Sequence, residues 1–287
     1  MTWRILELFS GLGAWRMAAS ARGSVVAAYD ISPVANRVYA ATHGDRPIVR
    51  ELATVPVEEL AAHDADTWLL SPPCQPYCRM GLRQDLADRR SRSFVHLVEV
   101  LGAVPVERLA LENVEGFAGS EAHALLVARL DQLGFHHRTY RLCPSRFGIP
   151  NQRPRLFLVA ARRPLNLLVP PAVEPRALGN YLDADEDPRL YLSPEVLSRH
   201  LPGLDLVTAA SNRSACFIGG YGRRYVGSGS FLRAELGVRR FSPGEIGRLM
   251  HLPTPLSFPE DLSFEGRYKL LGNALNVTVA RWVLGAF

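Results

Sequence analysis

The chain has 287 residues, a hydrophobic content of 47% and a mean hydropathy of zero. These values are typical of a globular protein with a large core, and the lack of an apolar run of about 20 residues argues against a membrane span. A formal net charge of +5 is compatible with a polyanionic partner. The four cysteines match neither a zinc ribbon nor a disulfide framework. We therefore expect no metal site, no membrane and a reducing cytoplasm.

Short apolar segments that alternate with helical stretches predict one α/β sheet. A serine precedes and a glycine follows the clearest helical stretch, Ser120–Leu133, as is usual at helix ends. This alternation favours a parallel sheet covered on both faces. The predicted strands are Trp3–Phe9, Ser24–Tyr29, Thr67–Ser71, Arg108–Leu111 and Arg155–Ala161.

The pattern changes after Ala161. Residues 162–187 are rich in proline and irregular, and residues 212–240 are rich in glycine and arginine. Regular structure returns at Ser242-Pro243-Gly244-Glu245, which predicts a capping box, and Gly272–Phe287 predicts a final helix. The sequence thus predicts a catalytic domain in two parts, 1–163 and 241–287, with a smaller domain at 164–240 inserted between them.

A glycine-containing turn follows the first predicted strand. The run Phe9-Ser10-Gly11-Leu12-Gly13 would let a ligand approach the backbone at the start of a helix. Asp30 ends the next strand 17 residues beyond Gly13, near the spacing of a ribose-hydroxyl acceptor. The full GxGxxG pattern is absent, so a structural turn and a nucleoside site fit this segment equally well.

Cys74 follows the third predicted strand within Pro72-Pro73-Cys74-Gln75-Pro76. The carboxyl end of a sheet strand is where α/β enzymes place reactive groups. A lone cysteine is nevertheless more often a small buried hydrophobic residue, and this is how we interpret Cys78 and Cys143.

Charged residues lie at one end of each of two further strands, after the first of them and before the second. Glu112 and Asn113 follow the apolar run Leu109–Leu111, and either a catalytic acid or a cap of the next turn would explain them. Arg153 and Arg155 precede the next strand, as a cationic clamp or as a surface pair. Taken alone, the run Leu271-Gly272-Asn273-Ala274 predicts only a turn before a helix.

The order of these motifs resembles that of the cytosine-5 methyltransferases. Phe-Ser-Gly-Leu-Gly, Pro-Pro-Cys-Gln-Pro, Glu-Asn-Val, Gln-Arg-Pro-Arg and Leu-Gly-Asn follow one another at suitable separations between Ile5 and Val283. The resemblance implies a Rossmann-like class I fold that depends on S-adenosylmethionine, with a small inserted target-recognition domain. It also favours the functional interpretation of each motif over the structural one.

Three stretches resemble one subfamily in particular, which is similar to DNA methyltransferases but modifies the anticodon loop of tRNA, of the aspartate type. They are Ser71–Tyr77 with Arg79, Asp88, Arg89, Ser91, Ser93 and Phe94 after it, Ser145–Arg155, and the run Cys216-Phe217-Ile218-Gly219-Gly220-Tyr221-Gly222 with Gly227–Ser230 after it. Ile218 stands where that subfamily usually has threonine, and Ala274 stands where serine is common. A DNA methyltransferase of a restriction or orphan system is the alternative, and a nucleic-acid-binding protein that has lost catalysis is a third.

The resemblance implies the catalytic roles. Cys74 would add to carbon 6 of cytosine as a thiolate, because this addition makes carbon 5 nucleophilic. Glu112 would donate a proton or hydrogen bond to ring nitrogen 3, and Arg155 would hold the base oxygen. Arg153 would orient the nucleophile loop or the acid.

The cofactor and substrate sites follow from the same resemblance. Asp30 would bind the ribose hydroxyls, Ile31 the adenine face, and the pair Glu51-Leu52 the adenine edge. The full set for S-adenosylmethionine, which would leave as S-adenosylhomocysteine, is Phe9, Gly11, Leu12, Gly13, Ala14, Asp30, Ile31, Glu51, Leu52, Ser71, Asn273 and Ala274. The set for the nucleic acid is Gln75, Arg79, Arg83, Asn113, Cys216, Phe217, Tyr221, Arg223 and Arg224.

The expected partner is tRNA, or duplex DNA under the alternative, and the expected state is a monomer. The stretch 212–240 supports a nucleic-acid partner because it has six arginines and a single acid, interleaved with aromatic residues. We expect the rings of Phe217, Tyr221, Tyr225 and Phe231 to stack on bases.

Overall fold

The computed structural model describes residues 2–77, 85–253 and 256–287. The chain forms two compact units, of which the first comprises Met1–Leu142, Pro154–Val169 and Ala280–Phe287, and the second Cys143–Arg153 and Pro170–Val279. The domain bounds 1–163, 164–240 and 241–287 were inferred from sequence motifs. They stay a prediction. No helix of the described residues is long and apolar enough to cross a membrane.

A six-stranded sheet in the order β2-β1-β3-β4-β6-β5 forms the first unit. Its strands are β1 (Trp3–Leu8), β2 (Gly23–Tyr29), β3 (Thr67–Leu70), β4 (Arg108–Val114), β5 (His136–Leu142) and β6 (Arg155–Ala161). Its helices are α1 (Ala14–Ala19), α2 (Pro33–His43), α3 (Val57–Ala62), α4 (Arg92–Val100) and α5 (Glu121–Gln132). All five predicted strands and the predicted helix before Gly134 are confirmed, with ends shifted by up to three residues.

The sheet is mixed rather than parallel, which corrects the sequence prediction. Strands β2, β1, β3 and β4 run parallel, whereas β6 pairs antiparallel with both of its neighbours, β4 and β5. The reversal places Arg155, the first residue of β6, opposite Val114, the last residue of β4. The start of β6 therefore lies at the edge of the sheet where β4 ends.

Burial explains why the central strands form. All four residues of β3 are buried, as expected of a strand covered by helices on both faces. Leu6, Leu8, Trp68 and Leu70 share one hydrophobic core with helices α4 and α5. The ends of the unit meet, because the rings of Trp3 and Phe287 pack edge to face with centroids 5.6 Å apart.

The second unit contains a three-stranded sheet in the order β7-β8-β9. Its strands are β7 (Asp205–Val207), β8 (Ser230–Ala234) and β9 (Gly237–Arg240), and its helices are α6 (Pro194–His200), α7 (Pro243–Leu249) and α8 (Phe264–Asn273). The predicted capping box is confirmed: the Ser242 hydroxyl accepts from the Glu245 amide, and the Glu245 carboxylate accepts from the Ser242 amide.

The prediction of one final helix over Gly272–Phe287 is wrong. Helix α8 ends at Asn273, and helix α9 (Val277–Val283) begins after a turn. The Asn276 side chain explains the new start, because its oxygen accepts from the Val279 amide as a helix cap does.

Candidate active site

The turn after β1 has a backbone that favours close approach. Phe9 adopts a φ of 56°, which is rare for a residue other than glycine and marks a candidate functional position. Gly11 has a φ of 54°, and a Cβ atom there would meet no atom within 4 Å. The side chains of Leu12 and Ala14 are buried, so only their backbone could reach a cofactor.

Gly13 is required by its neighbours on α2. It caps α1 with a φ of 76°, and a Cβ atom there would lie 2.8 Å from a ring carbon of Tyr39. The ring of His43 would be closer still, and its Nε2 lies 3.1 Å from the carbonyl oxygen of Leu12. Helix α2 therefore supports the turn from behind.

Asp30 connects the ends of β1 and β2. One carboxylate oxygen accepts from the Gly11 amide at 2.9 Å, and the other accepts from the Ser32 amide at 2.7 Å. Burial raises the pKa of this carboxyl, and these two hydrogen bonds oppose the rise. Each oxygen has a second lone pair, so the group can still accept from ligand hydroxyls.

The residues around this turn fit an adenosine group. Ile31 is 65% exposed, which leaves an apolar side chain without cover beside Asp30. The Ser10 hydroxyl is buried and has no hydrogen-bond partner in the described part of the chain. Glu51 is exposed, whereas Leu52 is a core residue, and the role of this pair at the adenine edge stays a prediction.

Hydrogen bonds fix the loop that carries Cys74. The Trp15 indole donates to the Ser71 hydroxyl at 3.0 Å and to the Leu70 carbonyl at 3.2 Å. The Asn113 amide, at the end of β4, donates to the Pro72 carbonyl at 3.2 Å. Cys74 itself is half-buried. The loop is thus held from α1 and from β4.

The far side of the loop is also anchored. The Tyr77 amide donates to the Cys74 carbonyl at 3.0 Å, and the Tyr77 ring packs edge to face on Phe117. Gly116 lies so close to the Tyr77 carbonyl that an added Cβ atom would clash with it. Gln75 is exposed. Arg79 and Arg83, predicted to contact the nucleic acid, and Cys78 lie outside the described residues.

Glu112 and Arg155 form an ion pair at the end of β4. The Arg155 Nε atom lies 3.2 Å from the Glu112 carboxylate, and both side chains are largely buried. The antiparallel register explains the contact: Val114 is opposite Arg155, so Glu112 lies diagonally across from it. The structure therefore brings together two of the four predicted catalytic side chains, Glu112 on β4 and Arg155 on β6.

Arg153 lies in the second unit and is 2% exposed. Its guanidinium donates to the Cys216 sulfur at 3.3 Å and to the Phe217 carbonyl at 3.1 Å. The other terminal nitrogen donates to the carbonyls of Gly272 at 3.0 Å and Ala274 at 2.6 Å. These contacts join three of the predicted motifs. We therefore propose that Arg153 positions them rather than contacting the base.

The predicted base-stacking rings of the second unit are core residues, which corrects the sequence prediction. Phe217 and Tyr221 are fully buried and pack edge to face with centroids 5.0 Å apart. The Tyr221 hydroxyl donates to the Ser230 carbonyl at 2.7 Å. Phe231 is also buried, and only the Tyr225 ring is partly exposed.

The arginines of this unit divide between core and surface. Arg239 is buried and donates to both oxygens of the buried Glu245 carboxylate, so it is not a phosphate contact. Arg223 and Arg224, both predicted to bind the nucleic acid, are exposed. They stay candidates, and so does the half-buried Cys216.

Glu7 is a fully buried acid in β1 that none of the sequence motifs indicates. Its carboxylate accepts from the Arg16 amide at 3.1 Å and from the Tyr39 hydroxyl at 2.9 Å. It thereby caps α1, since Gly13 has no side chain to do so. An acid within an apolar strand was the signal that could have revealed it.

We expect Glu7 to make stability depend on pH. Burial raises its pKa from 4.5 to about 7, although Tyr39 and Arg16 act against the rise. The folded state therefore binds this proton more tightly, so its stabilising effect is full below pH 4.5 and is lost as pH rises to about 7. The loss should be on the order of 3 kcal/mol. Arg16 also pairs with Asp45, which keeps it charged across this range.

The measurement is the free energy of unfolding in urea at pH 5 and pH 7.5, for the wild type and for Glu7→Gln. Other titrating groups contribute to both proteins, so the difference between their pH slopes isolates Glu7. Equal slopes would contradict a raised pKa for this carboxyl.

Comparison with known proteins places this geometry in a family. Residues 3–193 match the family model described as C-5 cytosine-specific DNA methylase. A tRNA (cytosine(38)-C(5))-methyltransferase of Spodoptera frugiperda is 30% identical, over 97% of each chain. A DNA (cytosine-5)-methyltransferase of Dictyostelium discoideum is 29% identical, over 98% of this chain and 93% of that one.

A solved structure shows the same architecture. The Dnmt2 methyltransferase of S. pombe superposes with a TM-score of 0.89 at 27% identity, over 99% of this chain and 98% of that one. The implied Rossmann-like class I fold is thereby confirmed. The chain belongs to the C-5 cytosine-specific DNA methylase family, and it is a cytosine-5 methyltransferase that uses S-adenosylmethionine.

Proposed function

We propose that the chain methylates carbon 5 of a cytosine in the anticodon loop of tRNA, of the tRNA-Asp type. The observation that carries this proposal is the similarity along 97% of the chain to a protein named as a tRNA cytosine-5 methyltransferase. The segment Cys216–Gly222, which resembles the same subfamily, supports it from the sequence. Duplex DNA is the alternative substrate, and the Dictyostelium relative is the observation that favours it.

Cys74 acts as the nucleophile in this proposal. Its thiolate adds to carbon 6 of cytosine, and the electron pair displaced from the 5,6 double bond makes carbon 5 nucleophilic. After methyl transfer, a base removes the proton from carbon 5, the double bond re-forms and the thiolate leaves. The anchoring of Pro72 by Asn113 and of Ser71 by Trp15 fixes the loop for this attack. A fixed geometry lowers the entropic cost of the addition.

Glu112 and Arg155 stabilise the negative charge that sulfur addition pushes into the ring. Glu112, protonated when the base binds, donates to nitrogen 3 of the base, and Arg155 donates to the exocyclic oxygen on carbon 2. Their contact at 3.2 Å supports this assignment, because it places both side chains together at the end of β4. Preorganised donors of this kind supply much of the catalysis in such sites.

The turn after β1 holds the cofactor in this proposal. S-adenosylmethionine supplies an electrophilic methyl group on a sulfonium ion. Asp30 accepts from its ribose hydroxyls, and the exposed Ile31 covers its adenine ring. The open space at Gly11 leaves room for the part of the cofactor that lies against the backbone of this turn. The Asn273-Ala274 turn, predicted to belong to the same pocket, stays a prediction.

An anticodon loop suits this chemistry because the target base must leave its stack before a thiol can reach carbon 6. Bases in loops are already partly unstacked, so the cost of exposure is lower than in a duplex. We further propose that the protein acts as a monomer in the cytoplasm. The cysteine spacing, which fits no disulfide framework, supports a reducing compartment.

The test is methyl transfer from labelled S-adenosylmethionine to total tRNA and, separately, to duplex genomic DNA. We expect label in tRNA, and bisulfite sequencing should locate it at one anticodon-loop cytosine. Label confined to DNA would replace this function with the alternative. Label in neither, with a folded protein that binds the cofactor, would favour a nucleic-acid-binding protein without activity.

A further inference from the structure

Strand β5 has an unusual concentration of basic and polar side chains. It reads His136-His137-Arg138-Thr139-Tyr140-Arg141-Leu142 and contains no acid. The side chains of His136, Arg138, Thr139 and Arg141 are exposed, and only Leu142 is buried. Nothing in the catalytic chemistry described above uses any of them.

The strand lies at the outer edge of the sheet and runs toward the catalytic edge. Its last residue, Leu142, is opposite Arg155, the arginine paired with Glu112. Arg141 immediately precedes Leu142 and is exposed. Strand β6 separates β5 from β4, so the backbone at Arg141 lies about 10 Å from β4. Arg138 lies about 10 Å farther from the catalytic edge.

The two guanidinium groups are available to a ligand. Within the described ranges, neither Arg138 nor Arg141 has an ion pair or a side-chain hydrogen bond. Asp131 is close to this strand, and its carboxylate lies 3.0 Å from the His137 Nε2 atom. Because successive side chains of a strand point to opposite faces, Arg138 and Arg141 place one positive charge on each face of this edge strand.

We propose that the edge of β5 binds the phosphate backbone of the RNA substrate next to the target nucleotide, through Arg138 and Arg141. This proposal rests on the proposed tRNA substrate. Arginine suits the role because its planar donors match phosphate oxygens. Contacts of this kind position a strand without reading its sequence, so the edge sets affinity rather than the choice of base.

A competing explanation is that the charges only prevent this edge from pairing with another sheet. Edge strands often carry charge for that purpose. The two explanations differ in the sign of charge that they need, because a guard against pairing works with either sign, whereas phosphate binding needs positive charge. Reversing the charge therefore separates them.

The experiment compares the wild type with Arg138→Glu/Arg141→Glu and Arg138→Gln/Arg141→Gln in methyl transfer to total tRNA. The glutamine pair should raise the KM for tRNA about tenfold, and the glutamate pair should raise it further. The kcat should not change, since neither residue contacts Cys74, Glu112 or Arg155. The slope of log affinity against log salt should fall by about 1.4 in the glutamine pair, roughly 0.7 for each lost contact with a single strand.

The matched control is Arg46→Gln, which removes an exposed arginine after α2, on the far side of the sheet from β5. Its KM and salt slope should stay at wild-type values. If the glutamate pair remains monodisperse in size-exclusion chromatography and keeps the wild-type KM, the charges are only a guard and the proposal is wrong. A wild type that methylates no tRNA would instead refute the proposed function. That outcome is distinct from an unchanged KM in the glutamate pair.

Discussion

Replacing Cys74 with alanine should reduce methyl transfer by a factor on the order of 10⁴ or more, with little change in thermal stability. The loss follows because no addition to carbon 6 can occur without the thiolate, and removal of a covalent nucleophile costs this much in other enzymes. Stability should persist because Cys74 is half-buried and hydrogen bonds at Ser71 and Pro72 anchor its loop. Single-turnover assays and thermal melts measure the two effects.

A second measurement tests the covalent step directly. RNA containing 5-fluorocytosine should form a stable adduct with the wild type, because carbon 5 then has no proton to lose after methylation. The Cys74→Ala variant should form none. Cys143→Ala is the matched control, since that thiol lies in the second unit and donates to the Asn151 carbonyl at 3.6 Å. Retained turnover in Cys74→Ala would exclude the covalent mechanism.

The Gly272→Ala substitution should destabilise the second unit severely, by about 3 kcal/mol or more. A Cβ atom at this position in α8 would lie 2.6 Å from the Cα atom of Gly219 and would clash with the backbone of Ile218. Backbone cannot rotate away as a side chain can. Urea unfolding followed by circular dichroism measures the effect.

The sign of this result is informative. Alanine is favoured over glycine inside a helix by roughly 1 kcal/mol, so helix propensity alone predicts that Gly272→Ala stabilises the protein. The control is Gly119→Ala, where an added Cβ atom meets nothing within 4 Å. That variant should be close to wild type in stability. A stabilised Gly272→Ala protein would mean that α8 and the segment around Gly219 are not in close contact.

The fold could be predicted largely from local pattern. Apolar runs such as Trp68–Leu70 identify buried strands, and the capping box at Ser242 identifies a helix start, because both signals are set by neighbouring residues. The antiparallel β6 could not be predicted, since strand direction depends on a connection that the pattern does not describe. The break before α9 could not be predicted, because the apolar spacing continues across it and indicates one helix. The Asn276 side chain nevertheless caps a new helix there.

The site could be predicted where several motifs had to agree. The order of the motifs indicated Cys74, Glu112 and Arg155, and the structure places the last two in contact. The function of Phe217 and Tyr221 was misjudged because composition cannot distinguish a surface ring from a buried one. The cap that Glu7 provides for α1 depends on an interaction between β1 and residues distant in sequence, which no local pattern specifies.

The contact between Trp3 and Phe287 has a consequence for synthesis of the protein. The first unit contains the earliest residues of the chain, yet it also requires Ala280–Phe287. Most of its sheet emerges from the ribosome long before that last segment, and the intervening residues belong largely to the second unit. The second unit can therefore reach its final packing first, while the first still lacks the ring of Phe287 that packs on Trp3. Nascent chains arrested before residue 280 should accordingly be more prone to bind chaperones.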